Sequence, residues 1–437
     1  MNKTDEQIET CADSKNQSAV KAFCETVKRY SYKDNGKEKG CCVNTNFVFF
    51  VGAGFSKAWD ENFEGGKYLF ETFLDKNRLF EESLGCYLQT MSWCKSETLN
   101  KGKFDIKFND FKKIVFSLGM YEKYKELRPK YIDSNSLKII REKLNALIAL
   151  KIWKHNPYSQ ESNSRNPMIY PPGNPTEKQI EIVNFFNTLR DQKKYDNERQ
   201  EGIRINHITT NYDFVIESIY DVWANEYGDA SHLQYVYRGF TPNKYCGFSK
   251  TYVPEDPYSS ADFTDYSDIS KIKDDLMIES IFKLNGGLEI YYNSDGTYKI
   301  DYEKKEEKDL LEDSPLLILP SYEQDYSHPY FREILQKSKE LLTIAKILII
   351  VGYSLPEEDI LIRFLLKHFA LDKTDFQDKS IFYINKKDSN DEGDGNEELE
   401  KKLKSVFKES IGFERIYTFS GTFNEFIEQF NQLWSPK

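Results

Sequence analysis

Five short clusters of glycine, hydroxyl, amide and carboxylate residues in this chain have the composition of ligand-binding turns. The first, Gly52-Ala53-Gly54-Phe55-Ser56, follows an unbroken apolar run. Two glycines directly after a buried strand let backbone N–H groups approach a pyrophosphate at a helix N-terminus. The third glycine of a dinucleotide fingerprint is missing, since position 57 is Lys, and Glu71 falls in a helical pattern instead of after a second strand. The second cluster, Thr209-Thr210-Asn211-Tyr212-Asp213, offers hydroxyls, an amide and a carboxylate between a strand and a helix. The same residue types also suit an N-capping turn. The remaining three are Lys283-Leu284-Asn285-Gly286-Gly287, Val351-Gly352-Tyr353-Ser354-Leu355-Pro356 and Ile384-Asn385. Glu357, Glu358 and Asp359 then open a helix with the charge its dipole favours. Each cluster alone reads equally well as a turn.

The elements that must position these clusters are legible. Asn46–Val51 and Lys346–Val351 are continuous apolar runs of strand length, the pattern of strands buried on both faces. Ile203–Thr209 alternates like a strand, and shorter strands are expected at Ile278–Leu284, Leu316–Leu319, Ser380–Ile384 and Arg415–Phe419. Leu288–Ile300 reads as a hairpin turning at Asn293–Gly296. Helical spacing predicts helices after Asp213 to about Trp223 and at Phe331–Thr343, Ile360–Phe369 and Phe423–Trp434. Residues 1–45 read as a polar helical extension, and residues 46–437 as one domain with two insertions. Residues 60–200 form the helical insertion, with periodic stretches at Phe70–Leu79, Phe108–Leu118, Leu137–Trp153 and Ile180–Leu189 and a Pro-rich loop at Asn166–Pro175. Residues 228–275 form a Tyr-rich insertion with little periodicity. The expected fold class is α/β: a Rossmann-like, mostly parallel sheet with helices on both faces, plus an all-helical insertion. In such sheets ligands bind at the carboxyl ends of strands, where all five clusters lie.

Composition narrows the function classes. With 437 residues and 39% hydrophobic content the chain can bury a sizeable core, and its 15% aromatic share makes much of that core aromatic. A net charge of −11 argues against a primary nucleic-acid binder. No apolar run approaches the roughly 18–20 residues a bilayer span needs, and the polar start carries no signal peptide, so no membrane role is expected. The seven cysteines include no C-x-x-C pair and the five histidines show no metal spacing, so a cytoplasmic setting and no metal are expected. His207, on the strand before Asn211, reads as a histidine packed on the sheet.

Taken in this order at these strand ends, Gly52-Ala-Gly-Phe-Ser56, Thr209-Thr-Asn-Tyr-Asp213, Lys283-Leu-Asn-Gly286, Gly352-Tyr-Ser354 and Ile384-Asn385 resemble the sirtuin-like NAD-binding domain. The likeness is to the divergent bacterial branch found in anti-phage defence and spans about residues 46–420. It implies that Gly52, Ala53, Gly54 and Ser56 line the NAD phosphates, with Phe55, Thr210 and Gly352 completing the binding set. It implies that Asn211 and Asp213 sit at the nicotinamide ribose, Asn211 orienting water, and that Ser354 and Asn385 hold the adenosine half. The zinc ribbon and the acidic-Phe-Arg segment of the deacetylases are absent from this chain. The implied activity is therefore hydrolysis of NAD, as substrate, to nicotinamide and ADP-ribose.

One departure bears on catalysis. The family has Lys-Leu-His-Gly where this chain has Lys-Leu-Asn285-Gly. The family's histidine acts as general base, whereas Asn can orient a hydroxyl or water but cannot take a proton at neutral pH. Losing a general base costs about 10²- to 10⁴-fold. The chain is then a weak or inactive homologue, or carries an inactivating substitution in an active enzyme. The rival classes are a non-catalytic NAD- or ADP-ribose-binding or structural subunit of a defence complex, and a nucleotide-dependent transferase. Because the last strand and helix still follow the sheet pattern, the expected control is self-association through the helical insertion or a separate sensor, such as a HerA-type ATPase.

Overall fold

The structure, a computed structural model, describes residues 5–31, 45–74, 87, 103–159, 169–196, 199–226, 236–237, 279–292, 298–371, 379–387, 394–407 and 415–434. Six strands build the central sheet: β1 (Thr45–Val51), β2 (Arg199–Thr209), β3 (Glu279–Lys283), β4 (Ile347–Val351), β5 (Ser380–Asn385) and β6 (Ile416–Ser420). They pair in parallel in the spatial order β3-β2-β1-β4-β5-β6. Val236–Tyr237 adds a parallel pairing outside β3, and Lys193–Asp196 pairs antiparallel with the start of β2. The order is that of a doubly wound sheet, and its direction reverses between β1 and β4.

Phe47–Phe50 and Ile347–Ile350 are fully buried, which is why both strands read as unbroken apolar runs. Helix α1 (Asp5–Tyr30) and helices α2 (Ala53–Trp59), α3 (Phe108–Lys123), α4 (Ser134–Trp153), α5 (Glu177–Arg190) and α6 (Val215–Glu226) precede or flank the first half of the sheet. Helices α7 (Pro329–Ile344), α8 (Ile360–Lys367), α9 (Gly395–Phe407) and α10 (Phe423–Leu433) belong to the second half. One face is packed by aromatics. Phe23 of α1 meets Phe382 edge-on at 5.1 Å and Phe426 of α10 at 5.4 Å, while Phe49 meets Phe186 of α5 at 5.0 Å. Helix α7 covers the other face and α8 packs against it. Many of the described aromatic side chains are buried in this core, where edge-to-face pairs add to burial.

Among the described residues of 60–200, α3, α4 and α5 lie near three of the expected helical stretches. Where the spacing predicts a helix over Phe70–Leu79, however, Gly66–Phe70 is a 3₁₀ turn and Thr72–Leu74 a strand paired with Lys103–Asp105. Residues 75–79 lie outside the described residues. A second short pair, Tyr158–Ser159 with Ile169–Tyr170, also sits inside the insertion. Leu316–Leu319, expected as a strand, makes a single bridge from Leu317 to Gly286. The hairpin is confirmed as Ile290–Tyr292 against Tyr298–Ile300. Its turn residues, and nearly all of residues 228–275, lie outside the described residues.

Candidate functional site

The five clusters lie at the carboxyl ends of β1, β2, β3, β4 and β5, and those after β1 and β4 flank the point where the winding of the sheet reverses. The loops after β1 and β4 interlock. Gly52 N–H donates to Val351 O at 3.0 Å and Gly54 N–H to Gly352 O at 2.8 Å. A Cβ at Gly54 would lie 2.6 Å from Gly352 Cα. Gly352 has φ +63°, and a Cβ there would meet Phe55 N at 2.4 Å. Closeness of two backbones explains this glycine pattern, and both amides are engaged within the protein. Gly352→Ala combines a left-handed residue with a backbone clash, and is expected to lower unfolding free energy by more than about 2 kcal/mol in a denaturant titration. A change below about 0.5 kcal/mol would show that the interlock is not under this constraint.

Beside the interlock a polar network joins two clusters. Asn211 Nδ2 donates to Gly52 O at 2.9 Å and to Ser56 Oγ at 2.8 Å. Ser56 Oγ donates in turn to Asp213 Oδ2 at 2.6 Å. The other Asp213 oxygen, Oδ1, accepts the N–H of Val215 at 3.1 Å, so the carboxylate both caps α6 and reaches into the site. Thr209 fixes the loop: its Oγ1 donates to Val51 O at 3.1 Å and accepts Asn211 N–H at 3.0 Å. Burial pushes the Asp213 carboxyl up from its ordinary range, opposed by the Ser56 hydroxyl bond and by the Lys283 ammonium.

Asn285 is half-buried and held at both ends. Its Nδ2 donates to Thr210 O at 3.2 Å, and Tyr326 Oη donates to its Oδ1 at 2.8 Å. This places Asn285 beside the Thr210–Asp213 loop. Sequence reasoning missed Tyr326, because one tyrosine in an irregular stretch gives no periodic signal. It also missed Glu217 and Glu289, which close on the fully buried Lys283 at 2.8 Å and 3.1 Å. Asp359, expected to open a helix, sits at the N-cap of α8 without a side-chain capping bond and is hydrogen-bonded to the Tyr353 hydroxyl.

Not every expected residue faces this network. Phe55 is 1% exposed and packs into the core with its ring tilted against Phe423 at 5.4 Å, so its side chain is a packing group. Ser354 is exposed at the end of β4, and Asn385 is half-buried at the end of β5. They follow β4 and β5, on the opposite side of β1 from β2, whose end carries Asn211. His207 is 1% exposed, stacked on Phe49 at 5.7 Å, with Nδ1 3.3 Å from Tyr220 Oη, as expected of a histidine packed on the sheet. Among the described residues no group of three or more His, Cys, Asp or Glu side chains is placed to hold a metal ion. Nor is any described helix long and apolar enough to cross a membrane.

No protein-family model matches the chain, and no curated protein sequence matches it. Solved structures similar to it include one described as the structural basis for the mechanism and regulation of Sir2 enzymes. That match has 9% identity and TM-score 0.36, covering 97% of this chain and 100% of the other. Another is a Sir2 homologue in complex with NAD, at 10% identity and TM-score 0.35, covering 93% of this chain and 97% of the other. These likenesses are remote.

Proposed function

We propose that this chain is a sirtuin-like protein that binds NAD and cleaves it to nicotinamide and ADP-ribose, serving anti-phage defence in the cytoplasm. The observation that carries the reading is the Asn211–Ser56–Asp213 network beside Asn285, at the reversal point of a doubly wound sheet. That is where such sheets take dinucleotides. In the reaction the bond from ribose C1′ to the nicotinamide nitrogen breaks and the electron pair leaves with neutral nicotinamide. Water adds to C1′ and releases one proton. The ribose passes through a cationic, oxocarbenium-like state. The Asp213 carboxylate and the Asn211 amide oxygen are preorganised dipoles and charge that stabilise it. Gly52, Ala53, Gly54 and Ser56 border the phosphates in this reading, and Ser354 and Asn385 the adenosine half.

The binding-only reading has its own observation. Both ends of the Asn285 amide are engaged by Thr210 and Tyr326, and an amide takes no proton at neutral pH. Such a site holds NAD or ADP-ribose and turns it over slowly or not at all. Calorimetric titration with NAD, together with chromatographic detection of nicotinamide, tests both readings. Binding is expected in either case, and absence of binding overturns both.

Regulation in this proposal comes from self-association through the helical insertion, or from a separate sensor such as a HerA-type ATPase. Light scattering of the isolated chain is expected to give a species larger than a monomer at micromolar concentration. A monomer unchanged by NAD removes self-association.

A further inference from the structure

Behind Asp213 lies a buried charge cluster that the reaction scheme does not use. Lys283 is 3% exposed, Glu217 1% and Glu289 4%. The Lys283 ammonium donates to the backbone oxygen of Asp213 at 2.7 Å and sits 2.8 Å from Glu217 Oε1 and 3.1 Å from Glu289. Its Nζ also lies 4.8 Å from the centre of the Phe214 ring. The second oxygen of Glu217, Oε2, is buried without a hydrogen-bond partner. Gly287 makes the approach possible: a Cβ there would lie 2.1 Å from Glu289 Oε2 and 2.8 Å from Lys283 Cδ. Three elements meet at this one ammonium: β3, which leads into Asn285; the loop carrying Asn211 and Asp213; and α6, which carries Glu217.

We infer that Lys283 is a positioning residue that ties the Asn285 strand to the Asp213 loop and, against Glu217, sets the charge carried by Asp213. The inference rests on the NAD reading above. Two carboxylates, Glu217 and Glu289, pair with this buried cation, while Asp213 holds it through its backbone oxygen, and a buried charge left unpaired is costly. Burial pushes the Lys283 ammonium down, but Glu217 and Glu289 outweigh it and hold it charged. The groups facing Asp213 are the Ser56 hydroxyl from α2, Lys283 from β3 and Glu217 from α6, with Glu289 behind Lys283. Lys283 favours the carboxylate form of Asp213 and Glu217 opposes it. The two substitutions that remove these charges therefore act in opposite directions, which folding damage does not imitate.

The probes are carbocyclic NAD, which keeps the cationic nicotinamide but resists cleavage, and ADP-ribose, which lacks the cation. An ionised Asp213 favours the cationic ligand, so the preference for carbocyclic NAD over ADP-ribose is lost on acidification as Asp213 takes a proton. Calorimetry across pH 4.5–8 on the full chain is expected to place the midpoint of that loss about one unit or more higher in Lys283→Met. In Glu217→Gln the midpoint is expected to move to lower pH. Should Lys283→Met fail to fold, the direction of the Glu217→Gln shift decides alone. Midpoints that stay fixed, or move the same way in both variants, overturn the inference and leave the NAD reading standing. Failure of the unaltered chain to bind either ligand overturns both.

Discussion

Asn285→His is expected to raise nicotinamide release from NAD by about 10²-fold or more, the range a positioned general base contributes. The amide of Asn285 lies between Thr210 O and the Tyr326 hydroxyl. An imidazole there has a ring nitrogen able to accept the Tyr326 proton, which fixes its orientation, and a second nitrogen able to exchange a proton. Nothing else in the Asn211–Ser56–Asp213 network changes. Chromatographic measurement of nicotinamide under saturating NAD reads the effect. Equal, negligible turnover in both proteins, with NAD binding confirmed, would remove the enzyme reading and leave the binding one.

The second large effect concerns Asn211. In the Asn285→His background, Asn211→Ala is expected to lower kcat by about 10²- to 10³-fold, the scale for removing one preorganised polar group from a cationic or anionic transition state. KM is expected to change by less than about threefold, because an interaction made mainly in the transition state leaves ground-state binding almost unchanged. Asn211 also links Gly52 O to Ser56 Oγ, so its loss frees the hydroxyl that donates to Asp213. A rise in KM with unchanged kcat would place Asn211 among ground-state binding groups instead.

Much of the architecture was legible because its strands are buried on both faces. Phe47–Val51 and Ile347–Val351 have no polar face to confuse the pattern, and the residue after each is the glycine that ends it. The clusters were found for the same reason: strand ends in a parallel sheet are also ligand ends. The short pairs Thr72–Leu74 with Lys103–Asp105 and Tyr158–Ser159 with Ile169–Tyr170 were not legible. Strands of two or three residues carry too little alternation to stand out from helical spacing. Glycine in the first cluster signalled a close backbone approach, but the neighbour it approaches is the Gly352 loop, a contact between residues far apart in sequence. Asp213 was read as either a cap or a ligand group, and it is hydrogen-bonded in both senses, one oxygen on Val215 N–H and one on Ser56. Tyr326, Glu217 and Glu289 stayed hidden because each matters only through a partner on another element.

The central claim is that one NAD molecule lies across the reversal point with its reacting ribose at Asn211, Asp213 and Asn285. A crystal structure of the unaltered chain with carbocyclic NAD tests it most directly. The account predicts the nicotinamide ribose within hydrogen-bond reach of Asn211 and Asp213, the pyrophosphate over the loop from Gly52 to Ser56, and the adenosine beside Ser354 and Asn385. A dinucleotide bound elsewhere, or one lying with its adenosine at Asn211, would contradict it.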